Sequence, residues 1–138
     1  LVAASGLVTD GESVWAADWG TGNIFRIDFD AGIPTSNLVA SGLSFPEGLA
    51  LDNEGRLLVF ETKGLNPTFV PRLSRIDFSS GTAERTTIVE GLAPKEGGLP
   101  GFPPMWLFDG VDVGASGDNY LTGGEDNVIH KISKNKVR

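Results

Sequence analysis

The sequence has no cysteine and a single histidine, His130. Without cysteine there is no disulfide framework and no thiolate metal site. With one histidine besides, zinc held by His or Cys is excluded, and a Ser–His–Asp triad has only His130 to serve as base. Basic residues are scarce as well. Eleven Lys and Arg against eighteen Asp and Glu leave a net charge of −7. No nucleic-acid partner is expected, because a phosphate backbone needs a cationic face. No apolar run is long enough for a transmembrane helix, so no membrane partner is expected either. A signal-peptide pattern is missing too. The first residue is Leu1 rather than Met, which fits a mature secreted protein or a trimmed chain. The compartment stays open, with a secreted or periplasmic location favoured.

Helical periodicity is also missing. No stretch keeps apolar residues at i, i+3, i+4 and i+7 for three turns. Nineteen glycines and eight prolines instead imply many tight turns between short strands, hence an all-β chain. The strands repeat. "NIFRID" at 23–28 returns as "RLSRID" at 72–77 and as "VIHKIS" at 128–133. Ahead of each lies a second apolar strand: "SVWAAD", "LLVFE" and "NYLTG". Ahead of that comes a glycine-led element: "SGLVTDG", "PEGLALDNEG" and "FDGVDVGASG". Two units add a fourth strand, "SNLVASGL" at 36–43 and "RTTIVEGL" at 85–92. Four short strands in a unit of about 46 residues are the signature of a β-propeller blade. A β-sandwich also has many short strands, but gives no reason for "I-x-R-I-D" to recur in one place. The expected fold is an all-β β-propeller of three four-stranded blades, half of a six-bladed ring. It forms one domain with blades at about 1–43, 44–92 and 93–138.

"PEGLALDNEGRLLVFE" and "FDGVDVGASGDNYLTG" resemble the two innermost strands of NHL-type and gluconolactonase/regucalcin-like propellers, which usually have six blades. Strictosidine synthase-like proteins and virginiamycin B lyase share similar blades. The resemblance spans nearly the whole chain. Its motifs are those of blades, so they speak to architecture rather than to activity.

Strand one of a propeller blade lines the central channel, and its start lies on the top face. The connections after strands two and four lie on that face too. Aligning the blades on their Gly-apolar pair makes Ser5, Glu47 and Asp109 equivalent, at the channel mouth. Glu47 is expected to face a solvated channel. The top connections at 62–71 and 93–106 are long and carry Phe69, Val70, Leu99, Phe102, Met105 and Trp106. They are expected to lack regular structure and to wall a small-molecule pocket.

In gluconolactonase/regucalcin-like enzymes a divalent cation sits at the top of the channel, held by a Glu, an Asp in an Asp-Gly strand start, and one or two Asn. The resemblance therefore implies Glu47 and Asp109 as metal ligands and catalytic carboxylates, with Asn66 and Asn127 as the further ligand candidates. All donors are oxygen, so the cation would be calcium or magnesium. The implied activity is that of a metal-dependent, lactonase-like hydrolase. The alternative is a non-catalytic NHL-type scaffold that binds a partner or ligand.

Other charged and aromatic residues have simpler readings. Asp18 and Glu61 end strand two and read as turn caps. Arg26, Arg75 and Lys131 share one position in strand three, with Asp28 and Asp77 two residues on, and read as inter-blade ion pairs. His130 aligns with Phe25 and Ser74 on a blade-packing face, as a buried and hydrogen-bonded residue. Trp15 reads as core, and Trp19 as able to reach the top rim. Three blades leave two open flanks, one carrying Phe25, Ile27 and Phe29. "KNKVR" is short for a fourth strand, and "LVAASGL" resembles the fourth strands. A homodimer closing a six-bladed ring, with the N-terminal stretch completing the other copy's last blade, is the expected assembly.

Overall fold

A computed structural model describes residues 1–65, 68, 70–92, 100–101, 110–122 and 128–134. They form three antiparallel sheets and no α-helix. No helix among them is long and apolar enough to cross a membrane. The first sheet holds β1 (Ala4–Thr9), β2 (Ser13–Asp18), β3 (Asn23–Asp30) and β4 (Ile33–Ala40), side by side in chain order. The second holds β5 (Pro46–Leu51), β6 (Leu57–Lys63), β7 (Val70–Asp77) and β8 (Glu84–Glu90), again in chain order. The third holds β9 (Val111–Val113), β10 (Asn119–Thr122) and β11 (Ile129–Ile132). Four strands were expected in this last unit; the described residues supply three.

Turn chemistry sets the hairpins. Asp30 pairs with Ile33 across a two-residue loop. Both loop residues, Ala31 and Gly32, have positive φ, at 49° and 82°. That is the type I′ geometry whose twist matches the strands it joins. At the β5–β6 turn, Asp52 Oδ1 accepts the N–H groups of Glu54 and Arg56, each at 2.9 Å. The side chain thereby satisfies backbone donors that the ladder cannot reach.

The sheets pack face to face. Trp15, Ala17 and Ile24 of the first sheet bury against Leu49, Leu57, Val59 and Ile76 of the second. Ala50, Leu58, Phe60 and Leu73, on the second sheet's other face, bury against Leu121 with Val111, Val113 and Ile132 of the third. Each large side chain taken from water here contributes about 1.5–3 kcal/mol. The alternation along β6 shows how one strand serves both interfaces. Leu57 and Val59 point to the first sheet, Leu58 and Phe60 to the third, as a period of two requires.

Two expectations are corrected at this level. The stretch 62–71 was expected to be irregular, but the β6–β7 hairpin runs on through the pairs Thr62↔Pro71 and Lys63↔Val70. Pro71 fits because it sits at the strand's start, where its carbonyl accepts from Gly91 N at 3.2 Å and a missing N–H costs little. The second connection, 93–106, lies outside the described residues except for 100–101. The N-terminal stretch, expected to complete another copy's blade, is used within its own chain. Val2 and Ala3 donate their N–H groups to Asp18, and β1 begins at Ala4.

Candidate functional site

Glu47 is the second residue of β5, the innermost strand of the second sheet. The ladder between β5 and β6 shifts register between Pro46 and Leu49, and that between β1 and β2 shifts between Ala4 and Gly6. Ser5 and Glu47 therefore stand in matching bulges, which re-aim a side chain at a strand end. The two inner strands meet there. Ser5 Oγ donates to the Pro46 carbonyl at 2.6 Å. A Cβ on Gly6 would lie 2.0 Å from the Glu47 carbonyl oxygen, so only a residue without a side chain lets the strands come this close. The expected solvated setting is corrected: Glu47 is 6% exposed.

Asp109, Asn66 and Asn127, the other expected ligands, lie outside the described residues, as do Phe69, Leu99, Phe102, Met105 and Trp106. Among the described residues, no three His, Cys, Asp or Glu side chains lie close enough together to hold a metal ion.

The segment leading into Glu47 is held from two sides. Trp19, between β2 and β3, packs on Phe45, between β4 and β5, with centroids 5.2 Å apart and rings tilted by 42°. Trp19 thus reaches the rim. Phe45 adopts φ 47°, a left-handed conformation that costs a non-glycine residue about 1 kcal/mol or more. Behind this segment, the Ser44 N–H donates to Glu61 Oε2 at 2.8 Å.

Glu61 is more than the turn cap its position suggested. It is fully buried. The Ser74 hydroxyl donates to Oε1 at 2.7 Å, and Arg72 Nη2 donates to Oε2 at 3.0 Å. Arg72 Nε lies 3.0 Å and Arg85 Nη2 3.2 Å from Oε1. The Nε contact is not aligned as a hydrogen bond, so it acts through charge alone. Arg85 also donates to the Gly42 carbonyl at 3.1 Å, tying the cluster to the connection between the first two sheets. One sequence signal pointed this way: Glu61, Arg72, Ser74 and Arg85 all alternate onto one face. Asp18, at the matching end of β2, is the simpler cap. Burial opposes its ionisation, but the N–H groups of Val2 and Ala3, the Thr21 hydroxyl and the Gly20 N–H outweigh it. They hold its carboxyl below the usual range.

Two of the three strand-three cations, Arg26 and Lys131, form pairs within blades, not between them; Arg75 lines a cleft instead. Arg26 Nε bonds Asp28 Oδ1 at 2.8 Å, and both engage Ser13 Oγ. Lys131 Nζ meets Asp118 Oδ2 at 2.8 Å. Residues i and i+2 share a strand face, so Arg26 and Asp28 meet without help from a neighbouring blade. His130 pairs with Leu121 in the expected register, but is half-buried rather than buried. Trp15 is core, as expected, with the Arg26 guanidinium 5.5 Å over its ring.

Two clefts lie away from Glu47. One of about 260 Å³ opens at the opposite ends of the strands, between the second and third sheets, lined by Asp52, Arg56, Arg75, Asn119 and Lys134 among others. The other, of about 230 Å³, is bounded by Val39, Leu43, Ile76 and Arg85. Glu47 lines neither.

No family model and no curated protein matches the chain. Among solved structures it is similar to a catalytically inactive virginiamycin B lyase from Staphylococcus aureus with quinupristin. That match has a TM-score of 0.58 and 18% identity, over 96% of this chain and 38% of that one. It is also similar to a protein assigned as an oxidoreductase (glucose dehydrogenase) from Thermus thermophilus. There the TM-score is 0.58 and the identity 19%, over 91% of this chain and 38% of that one. The chain thus spans well under half the length of either structure. At these identities the likeness shows the fold alone: an all-β chain of β-propeller type.

Proposed function

We propose that the chain carries a small-molecule site at the end of the sheets where Glu47 lies, and that the site is hydrolytic, of the lactonase type. The observation that carries this reading is Glu47 itself, a carboxylate kept from solvent in a bulge of the innermost strand. The neighbouring Phe45 supports it, since non-glycine residues in the left-handed region cluster at binding and catalytic sites. The fold also hosts chemistry elsewhere, in a lyase and in an assigned oxidoreductase.

Glu47, with Asp109, Asn66 and Asn127, would offer an all-oxygen donor set suited to calcium or magnesium. Such a cation, when bound, polarises a carbonyl as a Lewis acid. The chain's own residues do the positioning. The bulge aims Glu47, and Ser5 and Gly6 hold its backbone against β1. Glu61 fixes Ser44, and Trp19 backs Phe45 at the rim.

Calcium titration followed by thermal unfolding, together with an assay on simple lactones, tests the reading. Calcium is expected to raise the melting temperature of the unmodified chain, and Glu47→Gln to abolish both that shift and any hydrolysis. If both persist in Glu47→Gln, the residue has no such role. If the unmodified chain shows neither, the second reading holds: a non-catalytic scaffold of NHL type.

A further inference from the structure

The repeat fills one position twice and leaves it open once. Strand pairing puts Trp15↔Arg26, Leu58↔Arg75 and Tyr120↔Lys131 at one register position in the three sheets. In the first and third sheets an aromatic ring lies there under a cation, with its centroid 5.5 Å from Arg26 and 5.8 Å from Lys131. Each of those cations meets a carboxylate of its own blade, Asp28 or Asp118. The second sheet has Leu58 in place of the ring, and the cleft of about 260 Å³ opens beside it. Asp77, the counterpart of Asp28, accepts the Ser79 N–H at 2.8 Å and does not pair with Arg75. Arg75 is half-buried and has no ion pair among the described residues.

The facing sheet departs from the repeat at the same place. Asn119 shares the face of Leu121, which packs against the second sheet. Its counterpart one sheet earlier, Leu57, packs in one cluster with Trp15. Asn119 lines the cleft instead, 6% exposed, and its side-chain amide makes no hydrogen bond among the described residues. A buried amide without a partner is costly, and the cleft is the side from which a partner can come. The charges there do not balance either. Arg56, Arg75 and Lys134 line the cleft with Asp52 and Glu54. Arg56 engages both carboxylates, and Lys134 also pairs with Glu54. Three cations against two carboxylates leave one positive charge uncompensated, that of Arg75, in a chain whose net charge is −7.

We propose that this cleft binds a small organic monocarboxylate with an apolar body. The Arg75 guanidinium takes the carboxylate through two parallel N–H groups, the geometry its fork is shaped for. The Asn119 amide is the second donor, and the apolar body lies on Leu58 and Ile88, which line the same cleft. One surplus positive charge calls for a monoanion. The apolar wall favours an acid with a carbon body over inorganic phosphate. The cleft's 260 Å³ lies under the roughly 300 Å³ at which sites for drug-sized ligands begin, so the acid is small, of the size of benzoate. All four groups stand on the two sheets of an interface internal to the chain. The cleft opens at the strand ends opposite Glu47, so this inference does not rest on the site proposed there.

Titration with sodium benzoate, followed through the NMR resonances of the Asn119 side-chain amide and the arginine Nε–H groups, tests this. Saturable shifts of Asn119 and Arg75 are expected within the millimolar range. Arg75→Gln keeps a hydrogen-bonding side chain but removes the charge, and is expected to weaken binding about tenfold or more. Asn119→Leu, which restores the residue type of Leu57, is expected to weaken it as well while keeping the far-ultraviolet spectrum of the unmodified chain. Arg26→Gln, at the position closed by Trp15, is expected to leave the affinity unchanged. Inorganic phosphate at equal ionic strength is expected to bind more weakly than benzoate. Shifts that do not saturate, or that saturate alike in the unmodified chain and in Arg75→Gln, overturn the proposal. Phosphate that competes with benzoate on equal terms overturns the assignment to a carboxylate with an apolar body.

Discussion

A methyl group placed on Gly6 would stand 2.0 Å from the carbonyl oxygen of Glu47. The inner strands of the first two sheets are thus in contact at backbone distance, with Ser5 bonded across them to Pro46. Gly6→Ala is expected to force β1 and β5 apart and to destabilise the chain by about 1–3 kcal/mol, as overpacking does. The urea midpoint checks this. The same variant is expected to blunt any calcium-dependent stabilisation, because Glu47 moves with its backbone.

Glu61 holds two guanidinium groups, a hydroxyl and a backbone N–H in a buried position. Glu61→Leu is expected to cost about 3–5 kcal/mol, because it leaves Arg72 nearly buried without its counter-charge. Adding Arg72→Leu is expected to recover part of that loss, since a buried pair replaced whole by apolar groups is often close to neutral. Chemical denaturation of the two single variants and the double variant gives the coupling. Equal losses in Glu61→Leu and in the double variant would show that Arg72 carries no uncompensated charge.

Leu73 lies at the centre of the interface between the second and third sheets. Leu73→Ala is expected to destabilise by about 2–5 kcal/mol through lost burial and the cavity left behind. Ile33, exposed beside the β3–β4 turn, is expected to tolerate alanine within about 0.5 kcal/mol. A melting-temperature difference between these two variants checks that the core runs between sheets rather than over their outer hairpins.

The carboxyl of Asp118 is held at about 2 by the Lys131 ammonium, then by the Lys134 N–H and the Ser116 hydroxyl. Its folded value lies below its unfolded value near 4. The stability it contributes is therefore present above about pH 4 and is lost as the pH falls through about 2. Asp28, held low first by the Ser13 hydroxyl and also by Arg26, adds in the same direction. Asp118→Asn is expected to flatten the fall in stability between pH 4 and 2, measured by urea unfolding across that range. Lys131 is raised by the same pair. Its contribution is complete below its unfolded value near 10.5 and is lost as the pH rises through the raised folded value.

Much of the architecture was legible in the residues. The recurrences of "NIFRID" and the glycine ahead of each first strand identified the repeat, its strand order and the matching places of Ser5 and Glu47. Trp15 and the register of His130 with Phe25 and Ser74 followed from the same alignment. These are local properties: a strand's period of two and a turn's demand for particular φ angles act within a few residues. What the residues left undecided depends on distance across the fold. Whether Arg26 turns to its own Asp28 or to another blade, and whether Glu61 caps a turn or gathers Arg72 and Arg85, is decided by which side chains share an inter-sheet face. Whether Glu47 meets water is decided by what the folded chain packs over it. Periodicity names the face on which a side chain lies. Only the packed sheets determine what stands opposite it, because twist and inter-sheet rotation set those distances and neither is written in any single strand.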